Sequence, residues 1–401
     1  MAGTQLVFNY HPILVSEQPV LNFDVIICGG GPAGSTCALA FVDSGLSVAV
    51  IEKFSFPRDK VCGDAVAAYV PKVLGTLHPK FKDALADFDE KVIVNTCRIV
   101  APNTKAFDIT VPEGGFIATR VNWDNYLFEL ASREKNVTFF LNQTIVDVTI
   151  DKGKSEVSVQ TDKNVFRGKI VIGCDGAHSV VSKKVGKTKM DLNHYSGAVR
   201  SYYKNVTGIP DRTFEIHCLK AIVPGYFWIF PIKNNMANVG LGVPSADISR
   251  KKLNLRKLFH DAIHNLEYLK ERFKNAEQVG DLEGFGLPLG SRKVKMSGDN
   301  FILCGDAASL IDPLSGEGIG QAMISGRYAA WQTKKCFEQN NFTSYFMLQY
   351  DKQVYDKLWA RHRKSHFMKQ IIGNREWLVN GLINMASKKG MVRDFLTRVL
   401  A

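Results

Sequence analysis

The glycine cluster in "VIICGGGPAGSTCALAFVDSGLSVAVIEK", residues Val25 to Lys53, constrains this chain more than any other stretch. Apolar Val25 to Cys28 lead into the glycines, an Ala-rich run from Pro32 to Asp43 follows, and a second β-like run spans Val48 to Ile51. The pattern predicts strand, tight turn, helix, strand. Gly29, Gly31 and Gly34 fall at G-x-G-x-x-G spacing. In that spacing the first glycine makes the turn, the second lets the backbone approach a pyrophosphate, and the third lets the helix pack closely. A helix beginning at Pro32 and Ala33 turns unpaired N–H groups and its positive dipole end toward such an anion. Glu52, closing the second run, can accept from the ribose hydroxyls of an adenosine. A carboxylate there disfavours a 2′-phosphate, so the expected ligand is FAD or NAD rather than NADP.

A second signal lies in "FILCGDAASLIDPLSGEGIGQA". An apolar strand runs into Gly305 and Asp306, six residues intervene before Pro313, and Gly316, Gly318 and Ile319 open a helix. Asp306 can accept from a polyol chain, and the helix N-terminus can face a flavin ring or its phosphates. A third signal, "VIGCDGAHSVV", leads a strand into Asp175, Gly176 and Ser179.

In this order the three motifs resemble the FAD-dependent family of para-hydroxybenzoate hydroxylase, over about residues 23 to 330. The resemblance implies FAD as cofactor, held by Gly29, Gly31, Pro32, Ala33, Gly34, Glu52 and Lys53 in the first half. It implies Asp175, Gly305, Asp306, Pro313, Gly316, Gly318 and Ile319 in the second, with Asp306 near the ribityl chain. Ser182 stands where that family usually has Arg in its NAD(P)H-serving segment. The electron donor is therefore left open between NAD(P)H and another reductant.

Three further stretches resemble one branch, the geranylgeranyl reductases. "FPRDKVCGD" matches its P-R-x-K-x-C-G segment through Pro57, Arg58, Lys60, Cys62 and Gly63, and "GYFWIFP" matches its Y-x-W-x-F-P through Tyr226, Trp228, Phe230 and Pro231. "TRVNWDNYL" supplies Arg120 as an FAD contact. Two positions depart from the branch: Asp64 follows Cys-Gly where Gly is frequent, and Ile232, Lys233 and Asn234 replace a Lys-Gly turn.

The branch implies reduction of an unactivated C=C, which needs hydride on one carbon and a proton on the other. Cys62, after Lys60, is the candidate proton-delivery group, and Tyr226, Trp228 and Phe230 are the candidate pocket wall, sharing one strand face by alternation. Arg58 and Lys60 can pair with FAD phosphates or a substrate diphosphate. The rival enzymatic readings are a flavin monooxygenase acting on an aromatic and a flavin-dependent halogenase using Lys60 as its amine. The non-enzymatic rival is a flavin- or lipid-binding protein.

The expected fold is α/β: a Rossmann-like, glutathione-reductase-type FAD-binding domain with an inserted α+β substrate domain and a helical C-terminal tail. The FAD-binding domain is assigned to residues 22–65, 119–185 and 295–340, the substrate domain to 66–118 and 186–294, and the helical region to 341–401. The 401-residue length permits this.

A net charge of +12 favours an anionic partner. Lys and Arg are spread without a basic arm or recognition motif, which argues against nucleic acid. Eight cysteines without a C-x-x-C pair read as reduced thiols of a cytoplasmic protein. The first 22 residues lack a signal-peptide pattern, and no apolar run is long enough to span a membrane. The paired histidines 260/264 and 362/366 lack a third ligand, so no metal is expected. The cationic, amphipathic tail could rest on the inner face of a membrane, or Trp377, Leu378, Leu382 and Ile383 could cap the substrate pocket from within. Oligomeric state has no sequence signature here.

Overall fold

A computed structural model describes residues 18–388. The N-terminal segment read above for a signal peptide, and the last thirteen residues of the tail, lie largely or wholly outside them. The chain folds as the α/β architecture expected. Its nucleotide-binding half is built on a six-stranded sheet in the order Ser297–Gly298, Phe301–Leu303, Ile170–Gly173, Val25–Cys28, Val48–Ile51, Val137–Phe140. All neighbours pair in parallel except the short Ser297–Gly298 strand. The three central strands are buried at every position, which is why they read as unbroken apolar runs rather than alternating ones. Val25–Cys28 sits between strands reached by opposite crossovers, so the glycines after Cys28 emerge at a topological switch point, where open α/β sheets bind ligands. A separate four-stranded sheet holds Val20–Asn22, Val165–Gly168, Glu156–Thr161 and Ile145–Asp151.

Helices Pro32–Leu39 and Ile319–Glu338 pack together so closely that a Cβ on Gly326 would lie 2.2 Å from the Ala33 carbonyl oxygen. That approach brings the two glycine-rich loops, 276 residues apart between Gly29 and Gly305, to one place: a Cβ on Gly305 would be 3.6 Å from that of Ala33.

The other half is an eight-stranded sheet ordered Glu277–Pro288, Tyr195–Lys204, Met236–Pro244, Tyr226–Ile232, Thr213–His217, Val92–Val100, Ala106–Ile117, Ala65–Val66. Its two faces are told apart on the strand Tyr226–Ile232. Phe227 and Ile229 join a core with helices Leu255–Asn265 and Glu267–Phe273. Tyr226, Trp228, Phe230 and Ile232 face the other way, with Val94, Ile117 and Ala198. The helix Ser344–Ile372 then runs back along Ile319–Glu338, and Glu376–Lys388 returns to the large sheet.

Candidate active site between two glycine loops and an apolar sheet face

Gly29 has φ +99°, and a side chain on it would strike the Cys174 carbonyl at 2.4 Å. Gly34 is tighter still, its Cβ position 1.8 Å from the Gly29 oxygen. These two close the turn. Gly31 differs: the nearest atoms to a Cβ there are the guanidinium nitrogens of Arg58 at 3.5 Å and Arg120 at 3.9 Å. Its surroundings are open and cationic at the N-terminus of a helix whose first residues, Pro32 and Ala33, are buried. An anionic diphosphate fits that cradle.

The cations are held by carboxylates. Asp124 accepts from Arg120 Nε and Nη2, both at 2.6 Å, and from Arg58 Nη1 at 2.8 Å. Burial works against the Arg120 charge, yet Asp124 outweighs it and pushes the guanidinium pKa further up. Glu52 accepts from the amides of Gly30 at 2.8 Å and Phe54 at 3.2 Å and lies 3.4 Å from Arg58 Nε. Its carboxylate is thereby fixed at the end of its strand, beside the glycine turn. Lys53 is exposed, its ammonium over the Phe54 ring.

At the second loop Gly305 takes φ +55° and donates its amide to Ser325 Oγ at 2.9 Å. Asp306 follows, 3.6 Å from Lys60 Nζ and 3.8 Å from a Cβ position on Gly318, the cap of the next helix. Buried Asp312 accepts from the amides of Leu314 and Ser315, both at 2.9 Å, and from Ser365 Oγ at 2.8 Å, which ties the loop carrying buried Pro313 and Gly316 to the long C-terminal helix. Asp175 is turned into its own loop: its carboxylate accepts from Ser179 Oγ and from the amides of Val180 and Val181. Only backbone near Asp175 borders the Gly29 turn.

Between the halves runs the segment Arg58 to Asp64, whose side chains divide between them, with Asp64 at φ +65° turned away from Arg58, Lys60 and Cys62. Arg58, Lys60 and Cys62 face the nucleotide half. Arg58 meets Glu52 and Asp124, Lys60 meets Asp306, and the Cys62 thiol interacts with the Arg120 guanidinium. Asp59 and Asp64 face the large sheet, where Arg200 donates to Asp59 at 3.0 Å and to the Lys60 carbonyl at 3.4 Å. Fully buried Asp64 accepts from Tyr202 Oη at 2.8 Å and Asn238 Nδ2 at 2.7 Å. Burial raises its pKa to about 6, with Arg200, Asn238 and Tyr202 pulling the other way. Asn238 also donates to the Cys62 carbonyl at 2.7 Å and accepts from Trp228 Nε1 at 2.9 Å.

The expected aromatic wall is a single face: ring centroids of Tyr226 and Trp228, and of Trp228 and Phe230, are each 6.1 Å apart. Gly63 lies against it, 3.2 Å from Phe230 at its Cβ position. Tyr226 Oη donates to the Ser315 carbonyl beside Gly316, so the wall reaches the second glycine loop. Along the sheet, Phe214 and Ile216 continue the apolar face to Cys97, Phe107 and Ile109, where the helix Glu376–Lys388 covers it. That helix buries Val379, Ile383 and Ala386. The capping set expected from sequence is thus corrected at Trp377, which is 68% exposed because it lies on the outward side of the helix. Ile383 is buried as a cap should be, while Leu378 and Leu382 are only half-buried.

Asp124, Tyr202, Arg200, Asn238 and Ser315 were not singled out from sequence. The only advance signals were the Asp following Arg120 by one helical turn and the departure from pattern at Asp64.

Residues 24–184 match the FAD dependent oxidoreductase family and residues 195–279 the geranylgeranyl reductase catalytic domain. The chain is 30% identical over 364 residues to a digeranylgeranylglycerophospholipid reductase of Thermoplasma volcanium, with 87% of each chain covered. The chain belongs to the geranylgeranyl reductase family of FAD-dependent oxidoreductases. A menaquinone reductase of Mycobacterium tuberculosis is 29% identical over 321 residues, covering 77% of this chain and 75% of the relative. In fold, this family member is similar to a geranylgeranyl bacteriochlorophyll reductase-like protein of Thermoplasma acidophilum, with TM-score 0.79, 24% identity and 92% of each chain covered.

Proposed function

We propose that this FAD-dependent reductase saturates carbon–carbon double bonds in the prenyl chain of a lipid; its relatives are named as reductases of a digeranylgeranylglycerophospholipid and of menaquinone. The observation that carries this reading is the continuous apolar face from Tyr226 past Phe230 to the capped Cys97 region, beginning at the glycine loop that would border the flavin. Such a surface offers a long hydrocarbon contact area.

Gly31, Arg58 and Arg120 hold the FAD pyrophosphate, Glu52 the adenosine ribose, and Asp306 with Lys60 the ribityl side. Reduced FAD supplies hydride when bound. Cys62 holds the proton for the second carbon, and the Arg120 guanidinium faces the negative charge left on sulfur when that proton departs. Tyr226, Trp228 and Phe230 orient the chain and exclude water. Lys60 is engaged by Asp306 of the second glycine loop and by the ring of Phe285, 4.4 Å away on the large sheet, and this double engagement argues against the amine role a halogenase needs. The reductant is NAD(P)H or another donor. Buried Ser182, its amide bonded to Ser179 Oγ, provides no cation for a pyridine nucleotide and favours the latter.

The lipid would be met at an anionic bilayer surface. Phe367 and Trp377 are 59% and 68% exposed on the C-terminal helices, with exposed Arg363 and Arg375 nearby in sequence. Among the described residues no helix is long and apolar enough to cross a membrane. Liposome flotation should fall in a Phe367→Ser, Trp377→Ser double variant; equal flotation removes the membrane contact.

The reaction itself is tested by anaerobic photoreduction followed by challenge with prenyl lipids, aromatics and halides. Recovery of the oxidised flavin band with a geranylgeranyl lipid, and a product heavier by two hydrogens per bond, is the expected result. Turnover that requires oxygen and an aromatic, or a halide, overturns the reading.

A further inference from the structure

The segment that carries Cys62 is gripped from behind by a buried polar network that the chemistry above does not use. Asp64 is fully buried, adopts φ +65°, a left-handed backbone region uncommon for residues other than Gly, and leaves Oδ1 with no hydrogen-bond partner. A buried carboxylate held in a strained conformation persists only where its surroundings over-determine it. Here Asp64 Oδ2 orients Asn238, whose remaining bonds run to the Cys62 carbonyl and to the Trp228 indole. One side chain therefore sets the spacing between the candidate proton donor and the candidate pocket wall.

We propose that Asp64 is a positioning residue for this reaction: as the carboxylate, it locks Asn238, and through it Cys62 and Trp228, in the working arrangement. The proposal rests on the reductase reading given above. Protonation of Asp64 converts a double acceptor into a group that competes as donor, and it loosens the lock. Every polar group facing Asp64 is accounted for. Arg200 and Tyr202 come from one strand, Arg200 lying 4.3 Å from the Tyr202 ring, Asn238 comes from another, and Asp59 belongs to its own segment. Tyr202 also lines a cavity of about 140 Å³ with Glu90, Thr119, Asn122 and Lys233. The raised carboxyl pKa, to about 6, puts the change in a measurable range.

The experiment uses FAD-loaded full-length protein. Wild-type kcat for prenyl reduction should fall as pH drops through about 6. Asp64→Asn should give a kcat about tenfold lower at neutral pH and flat with pH, with FAD affinity unchanged. Tyr202→Phe deletes a bond to the charged form and should move the midpoint upward, which loose packing alone would not do. Tryptophan fluorescence supplies a readout independent of substrate. A step near that pH is expected in wild type and is expected to vanish in Asp64→Asn and in Trp228→Phe. A fluorescence step without prenyl turnover would overturn the reductase reading and leave the lock standing. A wild-type pH profile in Asp64→Asn, or an unmoved midpoint in Tyr202→Phe, would overturn the lock.

Discussion

Cys62 and Asp64 stand two residues apart and face opposite halves of the molecule, and their substitutions should separate chemistry from stability. Cys62→Ala removes the proposed proton donor while leaving Arg58, Lys60 and Glu52 in place. Turnover should drop by about 100-fold or more with flavin content unchanged, read from single-turnover kinetics and the visible spectrum. Asp64 acts on folding with the sign of a raised acid. Its folded pKa of about 6 exceeds the ordinary carboxyl value of 3.8, so the native state binds more protons between those values. Stability contributed by the neutral form is present below about pH 4 and lost as pH rises through about 6, by about 3 kcal/mol. Melting temperature against pH should show that loss in wild type and not in Asp64→Asn.

These residues were also unequally legible. Gly29, Gly31 and Gly34 announce themselves by their fixed spacing, Gly29 and Gly34 because the turn and the close packing forbid a side chain there, Gly31 because it leaves the cradle open. Asn238 has no such signature. It sits 176 residues from Cys62 and 174 from Asp64, and a buried amide bridging three segments leaves no local periodicity. Asp124 was half visible, since its spacing from Arg120 suits one helical turn while its bond to Arg58 spans 66 residues.

At the scale of elements, the two glycine-bearing helices are the most exacting. With 1.8 Å between the Gly34 Cβ position and the Gly29 oxygen, Gly34→Ala must push the helix Pro32–Leu39 away from its strand. The protein should purify nearly colourless and bind added FAD at least tenfold more weakly by fluorescence quenching. The β-runs and helices themselves followed from patterning, because apolar parallel strands and 3.6-residue stripes are local properties. The C-terminal helix Glu376–Lys388 showed the limit. Its amphipathic character was evident, but Val379, Ile383 and Ala386 rather than Trp377 meet the sheet, because the sheet's own contour chooses which stripe is buried.

Across the whole molecule, the proposed cofactor cradle joins residues from both ends of the chain: Gly31 and Arg58 from the first part, Arg120 from the next, Gly305 and Gly318 from the last. A ligand bridging such distant segments should stabilise them together. FAD at a hundred times its dissociation constant should add about 2.7 kcal/mol, visible as a rise in melting temperature over stripped protein. That increment should shrink in Arg120→Ala, whose guanidinium flanks the open side of Gly31.

The stretch from Arg58 to Asp64 works as a seam, stitched alternately to the nucleotide half and to the large sheet. A seam sewn on both sides cannot serve as a doorway. On the proposed reading, a long greasy chain would enter where the covering is one helix, Glu376–Lys388, so cross-linking that helix to the sheet beneath it should trap whatever occupies the groove and stop multiple turnover while sparing the first.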